Sequence, residues 1–326
     1  MTDLPLDQVR TLLAVADEGT FDAAAAVLHV TPSAVSQRVK ALEKRTGSVL
    51  VTRTKPARLT ESGQVVVRFA RRLAALERDA RAELGMSGAG EPVRLPIAVN
   101  ADSLATWFLP ALTRVPTDPP VCFELHREDQ DHTTTLLRDG TVMAAVTSSS
   151  APVQGCSVRP LGGLRYLPSA TPAFAARWFT GSFAEDLARA PVVVYDRRDD
   201  LQDRFVRAVS GRDASTLRHH IPASESFADA VTAGLGWGMV PEVQAEPRLR
   251  AGALVTLADR PEPPTRGSRT EDSRVPNRGL AGSEPSMDVP LYWQQWKLDS
   301  PILSSVADAV VAMAATSLRR TVMEVL

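Results

Sequence analysis

The stretch that most restricts this chain is residues 31–46, "TPSAVSQRVKALEKRT". Thr31 followed by Pro32 reads as a helix cap with proline at the first helical position. The helix then runs to about Arg45 and is stopped by Gly47. Val35, Val39 and Leu42 recur at i, i+4 and i+7, so one face must pack inward. The opposite face carries Ser33, Ser36, Gln37, Lys40 and Lys44, with Arg38 at its flank. Upstream, Leu6, Val9, Leu12, Leu13 and Ala16 mark a first helix ended by Gly19, and Phe21 to Leu28 an alanine-rich second one. The turn "HVT" separates that helix from the third, which is the spacing of a helix-turn-helix. "SVLVTRTKPARLT" then alternates around a proline turn and suits a two-stranded wing.

These residue types fit a duplex. Glutamine bonds an adenine edge bidentately, serine and arginine reach bases or phosphates, and lysine neutralises phosphate. The candidate DNA contacts are Thr31, Ser33, Ser36, Gln37, Arg38 and Lys40 on the helix, with Arg53 and Lys55 on the wing. Seven cations (Arg38, Lys40, Lys44, Arg45, Arg53, Lys55, Arg58) face the single acid Glu43 in this region. The whole chain has a net charge of −1, yet residues 1–86 hold 13 basic and 10 acidic side chains, against 24 and 28 in the remainder. Such a split assigns polyanion binding to one part and a different task to the other. The plainer alternative is a solvated charged helix face.

Thr60 reads as the cap of a long helix reaching about Gly85. Its Val66, Phe69, Leu73, Leu76, Ala80 and Leu84 advance by threes and fours, close to a coiled-coil seam, with Arg68, Arg71, Arg72 and Arg78 off it. A second copy of the chain is the expected partner; packing on its own C-terminal domain is the alternative. "GMSGAGEP", residues 85–92, has the composition of a hinge. Beyond it, β-rich runs alternate with helical patterns at 103–114 and 225–234, the signature of α/β units with parallel strands. Residues 259–288 are rich in Pro, Gly, Ser and charge and read as a disordered surface insertion.

With 326 residues, several domains are possible. Two cysteines, Cys122 and Cys156, offer no disulfide framework and suit reduced thiols in a cytoplasmic protein. The N-terminus lacks a secretory pattern, and no apolar run approaches a membrane span, so no membrane role is expected. His219–His220 and Cys122/His126 lack metal spacing. "GLGWG" follows a helix without the full phosphate-loop fingerprint and reads as a tight turn. No GxSxG or nucleophile–base arrangement is present, so no enzyme activity and no cofactor are expected.

"FDAAAAVLHVTPSAVSQRVKALEKRTGSVLVTRTKPARLTESG" resembles the N-terminal signature of LysR-type transcriptional regulators. "IAVNADSLATWFLPAL", "EDQDHTTTLLRDG", "SESF", "AGLGWGMVPE" and "PLYWQQWKLDSP" extend the resemblance to the ArgP/LysG branch, whose members sense basic amino acids and control their export. The resemblance implies a winged helix-turn-helix (1–60), a dimerising linker helix (61–86), a hinge (87–92) and a two-lobed α/β effector domain like a periplasmic binding protein (93–326). Lobe I would take about 93–163 plus 298–326, and lobe II about 164–297. It also implies a homodimer or homotetramer on a dyad-symmetric promoter site, with RNA polymerase as a further partner. Thr46 and Val51 depart from the family pattern at the wing, and the 259–288 insertion is absent from it.

In a two-lobed α/β domain the effector is expected where strand ends meet helix N-termini. Ser103, at the start of "SLATWF", suits a carboxylate and aligns with the position where the family contacts its effector; as a plain N-cap it would explain itself equally well. Thr106 lies one turn on. Glu128, Asp129 and Asp131 form an acidic group, although each of the two aspartates could simply cap a helix at 132–139. Thr147 and Ser148 end a strand, and Asp200, Ser224 and Glu225 are expected to line the cleft from lobe II. Trp107 and Trp237 read as core or cleft wall. A carboxylate-binding terminus beside acids fits L-lysine or L-arginine. Two other readings compete: a ligand-independent architectural or replication-associated DNA-binding protein, and a solute-binding or enzymatic α/β protein with an incidental basic N-terminus.

Overall fold

The computed structural model describes residues 4–52, 54–84, 86, 92–116, 120–127, 133–257 and 285–320. Residues 87–91 of the expected 87–92 hinge and most of the 259–288 insertion therefore lie outside the described residues. In chain order the N-terminal part comprises α1 (Leu6–Glu18), α2 (Phe21–Val27), α3 (Pro32–Thr46), β1 (Val51–Thr52), β2 (Arg58–Leu59) and α4 (Glu61–Glu83). There follow β3 (Val93–Val99), α5 (Ala101–Ser103), a π-helical stretch (Leu104–Phe108), α6 (Leu109–Leu112), β4 (Val121–Arg127), α7 (Thr133–Asp139) and β5 (Ala144–Thr147). Next come β6 (Cys156–Ala170), α8 (Pro172–Trp178), α9 (Phe183–Leu187), β7 (Val192–Val194), α10 (Leu201–Ser210), β8 (Arg218–His220) and α11 (Ser224–Thr232). The chain ends with β9 (Gly238–Pro241), α12 (Glu242–Arg250), β10 (Val255–Thr256), β11 (Met287–Trp296) and α13 (Pro301–Ser317).

Contacts divide the chain into two compact units. One holds Met1–Asn100, Val115–Arg159 and Tyr292–Asp308; the other holds Ala101–Arg114, Pro160–Leu291 and Ala309–Leu326. In the first, the helical head is built on Val9, Leu12, Val15, Val35, Val39, Leu42, Leu50 and Val67, all buried in one cluster. Thr31 caps α3 by accepting the Ala34 N–H at 3.2 Å, and Gly47 closes it in the left-handed region. Glu43, the lone acid, accepts the Leu50 N–H at 2.9 Å and so ties α3 to the start of the wing. Val51 pairs with Leu59 across that wing. Thr60 caps α4 by accepting from the Gly63 N–H at 3.1 Å.

The α4 stripe differs from the expected seam by one residue. Val66 is buried with Val67 and Ala70 in the head core, and the exposed apolar side chains are Val65, Phe69, Leu76 and Leu84. "VVV" at 65–67 offers two overlapping stripes, and the head takes one of them.

In the same unit β3 pairs in parallel with β4 and β5, and the Tyr292–Gln295 part of β11 runs antiparallel to β5. The arginines of α4 dock on the end of α7. Arg68 Nη1 donates to the Arg138 carbonyl at 3.0 Å, and Arg71 Nη1 to the Asp139 carbonyl at 3.2 Å and to Thr141 Oγ1 at 3.1 Å. The other Arg71 nitrogen reaches back to Asp17 of α1 at 2.5 Å. Arg72 lies over the Trp296 ring, 5.3 Å from its centroid. The fit needs glycines: a Cβ on Gly140 would meet the Arg68 Cα at 3.1 Å, and one on Gly155 would meet the Arg72 guanidinium at 2.5 Å.

In the second unit β6 pairs antiparallel with β9 and β10, and β7 pairs parallel with β8. A core of Leu167, Val193, Phe227, Val231, Val240 and Leu254 lies under α11 and α12. Trp237, fully buried, sits 6.2 Å from Phe205. Met287 and Asp288, expected within the insertion, instead open β11, and Asp288 receives a bidentate bond from Arg165.

Candidate nucleic-acid interface and effector site

Two sites emerge. On the head, burying Val35, Val39 and Leu42 at 0 % exposure turns the other flank of α3 outward. Ser33, Gln37, Lys40 and Lys44 are exposed there, and Ser36 and Arg38 are half-buried beside them. Lys55 is exposed on the wing, whereas Arg53 lies outside the described residues. Thr31 is exposed and acts as the α3 cap. Among the described residues Lys40, Lys44 and Lys55 join no ion pair, so their charge is available to an anion.

The second site lies in the unit that holds Ala101–Arg114. Here the chain leaves α5 and winds as a π-helix from Leu104, a geometry that recurs at functional sites. Asp102, which the sequence reading passed over, is its centre. Asp102 Oδ2 accepts from the Tyr166 hydroxyl at 2.6 Å and Oδ1 from the Ser224 hydroxyl at 2.6 Å. Gln244 Nε2 donates to Ser224 Oγ at 3.0 Å. Burial pushes the Asp102 carboxyl above the ordinary carboxylate range; its two hydroxyl donors oppose that rise and the Glu225 charge adds to it. The Tyr166 hydroxyl is raised well above its ordinary value, first by burial and then by Asp102.

The other expected effector residues take several roles. Ser103 is fully buried and makes no cap bond, and its Oγ has no partner among the described residues. Thr106 Oγ1 donates to the Asp102 carbonyl at 2.6 Å, a local helical bond. Ser224 is buried on Asp102, and Glu225 is exposed beside it. Asp200 is exposed and pairs with Arg204 at 3.2 Å, one helical turn along. Its neighbour Asp199 turns inward instead, accepting the Tyr195 and Leu201 N–H groups at 2.9 and 3.0 Å, with burial raising its carboxyl. In the other unit Thr147 is buried and accepts the Ser149 N–H at 3.2 Å; Ser148 is half-buried. Glu128, Asp129 and Asp131 lie outside the described residues.

Tyr166, Gln244 and Asp199 also escaped the sequence reading. A strand-borne tyrosine and a helix-borne glutamine carry no local signal. Asp102 did, as an acid beside the flagged Ser103. Among the described residues no three metal-ligating side chains cluster, and no helix is long and apolar enough to cross a membrane.

Comparison with known proteins places the chain in a family. Residues 6–64 match the bacterial regulatory helix-turn-helix protein, LysR family, and residues 89–269 match the LysR substrate binding domain. The HTH-type transcriptional regulator LysG of Mycobacterium tuberculosis is 44% identical over 317 residues, covering 96% of this chain and 95% of the relative. The lysine export transcriptional regulatory protein LysG of Corynebacterium glutamicum is 40% identical, covering 96% of this chain and 98% of the relative. Among solved structures, ArgP from M. tuberculosis superposes with a TM-score of 0.82 at 43% identity, covering 96% of this chain and 98% of that one. Full-length LysG from C. glutamicum with bound effector Arg gives 0.74 at 39% identity, covering 97% and 99%. With one family model matching over half of the chain and relatives 40% and 44% identical over nearly their whole length, the chain belongs to the LysR family of transcriptional regulators, of the LysG/ArgP type.

Proposed function

We propose that this regulator switches on an amino-acid exporter gene when L-lysine or L-arginine accumulates. The observation that carries the reading is the resemblance, over 97% of this chain, to a LysG solved with arginine bound. The acidic surroundings of Asp102, with Glu225 and Asp199 close by, supply the polarity such a ligand requires. Ser33, Ser36, Gln37, Arg38 and Lys40 would meet the major groove, with Arg53 and Lys55 on adjacent phosphates. The exposed Val65, Phe69 and Leu76 of α4, with Leu84 just beyond it, support a homodimer or homotetramer, which suits a dyad-symmetric promoter site. RNA polymerase completes the partner set, and the cytoplasm is the compartment of this work. The effector acts only through its different affinities for the arrangements the regulator adopts.

The test is fluorescence anisotropy of the full-length chain on its own upstream DNA and on arbitrary duplex, with and without each amino acid. Tighter binding to the upstream site, altered in affinity or footprint by lysine or arginine, is the expected result. Equal binding to both duplexes would favour an architectural protein. Specific binding that neither amino acid changes would remove the effector assignment alone.

A further inference from the structure

We propose that Asp102 is the anchor for a cationic nitrogen of the effector, an ammonium or a guanidinium, and that Tyr166, Ser224 and Gln244 are the positioning residues that hold its carboxylate in place. The inference rests on the basic amino-acid reading above and names the group that performs the recognition.

The argument is a count of donors and acceptors. The Tyr166 hydroxyl spends its one hydrogen on Asp102 Oδ2, and the Ser224 hydroxyl spends its own on Oδ1. Gln244 directs an N–H to Ser224 Oγ. What remains is acceptor capacity: the second lone pair on each carboxylate oxygen, and Gln244 Oε1, which is buried and has no partner among the described residues. Ser103 Oγ, on the next residue, is also buried and unpartnered. Among the described residues no arginine or lysine pairs with Asp102, although Glu225 and Asp199 add negative potential around it.

A buried carboxylate without a counter-charge is costly, and a buried acceptor left unmade costs more than a bond returns. A ligand offering N–H donors and a positive charge would meet the remaining acceptor capacity of the Asp102 carboxylate and supply its missing counter-charge, whereas an anion would do neither. Part of the Asp102 residue surface stays exposed, while its carboxyl is buried. Its hydroxyl partners arrive from a strand (β6) and from a separate helix (α11), which fixes the carboxylate from two sides before any ligand arrives.

Calorimetry on the full-length chain tests this with three probes: L-arginine, Nα-acetyl-L-arginine, which lacks the α-ammonium, and L-citrulline, which lacks the side-chain cation. The same probes are titrated into Asp102→Asn, whose fold is checked by circular dichroism. The expected result is arginine binding weakened about tenfold or more in Asp102→Asn. The analogue missing the nitrogen that Asp102 holds should bind poorly to the parent and lose nothing further in the variant. Arginine affinity in Asp102→Asn within about threefold of the parent would overturn the proposal while leaving the effector reading intact. If Asp102→Asn fails to fold, Tyr166→Phe and Ser224→Ala each remove one donor and should weaken arginine by roughly threefold to tenfold; no change in either would overturn it equally. A parent chain that takes up neither arginine nor, in a parallel titration, L-lysine sinks the effector reading, and the anchor with it.

Discussion

The head and the Asp102 cluster solve opposite problems with the same bonds. On α3 the donors face outward: Gln37, Lys40 and Lys44 are exposed, and their lysines join no ion pair among the described residues. Around Asp102 the surplus is in acceptors, held below the surface. A surface that meets a polyanion gains most from many loosely held cations, each replacing a condensed counterion. A site that selects one small cation gains from few groups, fixed in advance.

Salt gives the largest test of that contrast. Between 50 and 200 mM salt, affinity for the upstream DNA should fall by about 100-fold to 10,000-fold, as several neutralised phosphates require. Arginine affinity should change by less than about threefold, because a buried ion pair is screened little. Anisotropy and calorimetry on one preparation read both, and comparable salt slopes would erase the distinction.

Single residues sharpen it further. Lys40→Ala should weaken all duplexes about equally and reduce the salt slope by about one, whereas Gln37→Ala should cost roughly 1–3 kcal/mol of discrimination at one base position and leave the slope alone. Neither should alter arginine binding. Competition against single-base variants of the upstream site separates the two, and unchanged relative affinities in Gln37→Ala would remove its base-reading role.

The smallest effect is on stability. Folding raises the Asp102 carboxyl above its unfolded value of 3.8, so the native state holds its proton more tightly. The associated stability is complete below the unfolded value and is lost as pH climbs through the raised one. The groups in contact with or acting on this carboxyl are the hydroxyls of Tyr166 and Ser224, and the carboxylates of Glu225 and Asp199; Arg204 acts on Tyr166. Asp102→Asn cannot ionise, so without ligand it should melt higher than the parent at pH 8, and the gap should narrow on acidification. A gap that widens toward acid would contradict the assignment.

The two regions also differ in how plainly the sequence announced them. The head was readable because its information is local: a cap, a proline and three inward residues within one helix. Even there, the run Val65–Val66–Val67 hid which stripe the head would take, since a period of 3.6 cannot choose between neighbouring apolar residues. The Asp102 cluster joins positions 64 and 122 residues apart, and no spacing rule spans that distance. Ser103 was singled out as a helix start and Ser224 as a cleft residue, whereas Asp102, directly before Ser103, was not singled out at all. Choosing Asp199 over Asp200 in "DRRDD" required knowing which carboxylate folds back on the Tyr195 and Leu201 N–H groups.

The arginine dock on α7 bears on how movement travels. Because Arg71 grips Asp17 of the head together with the Asp139 carbonyl and Thr141, twisting the head about its linker would strip several charge-assisted bonds at once. Arg68 and Arg72 add their own contacts, and Gly140 lets the α4 backbone approach closely. The head is therefore tied to the turn after α7 through Arg71 of α4 as well as through its own apolar core.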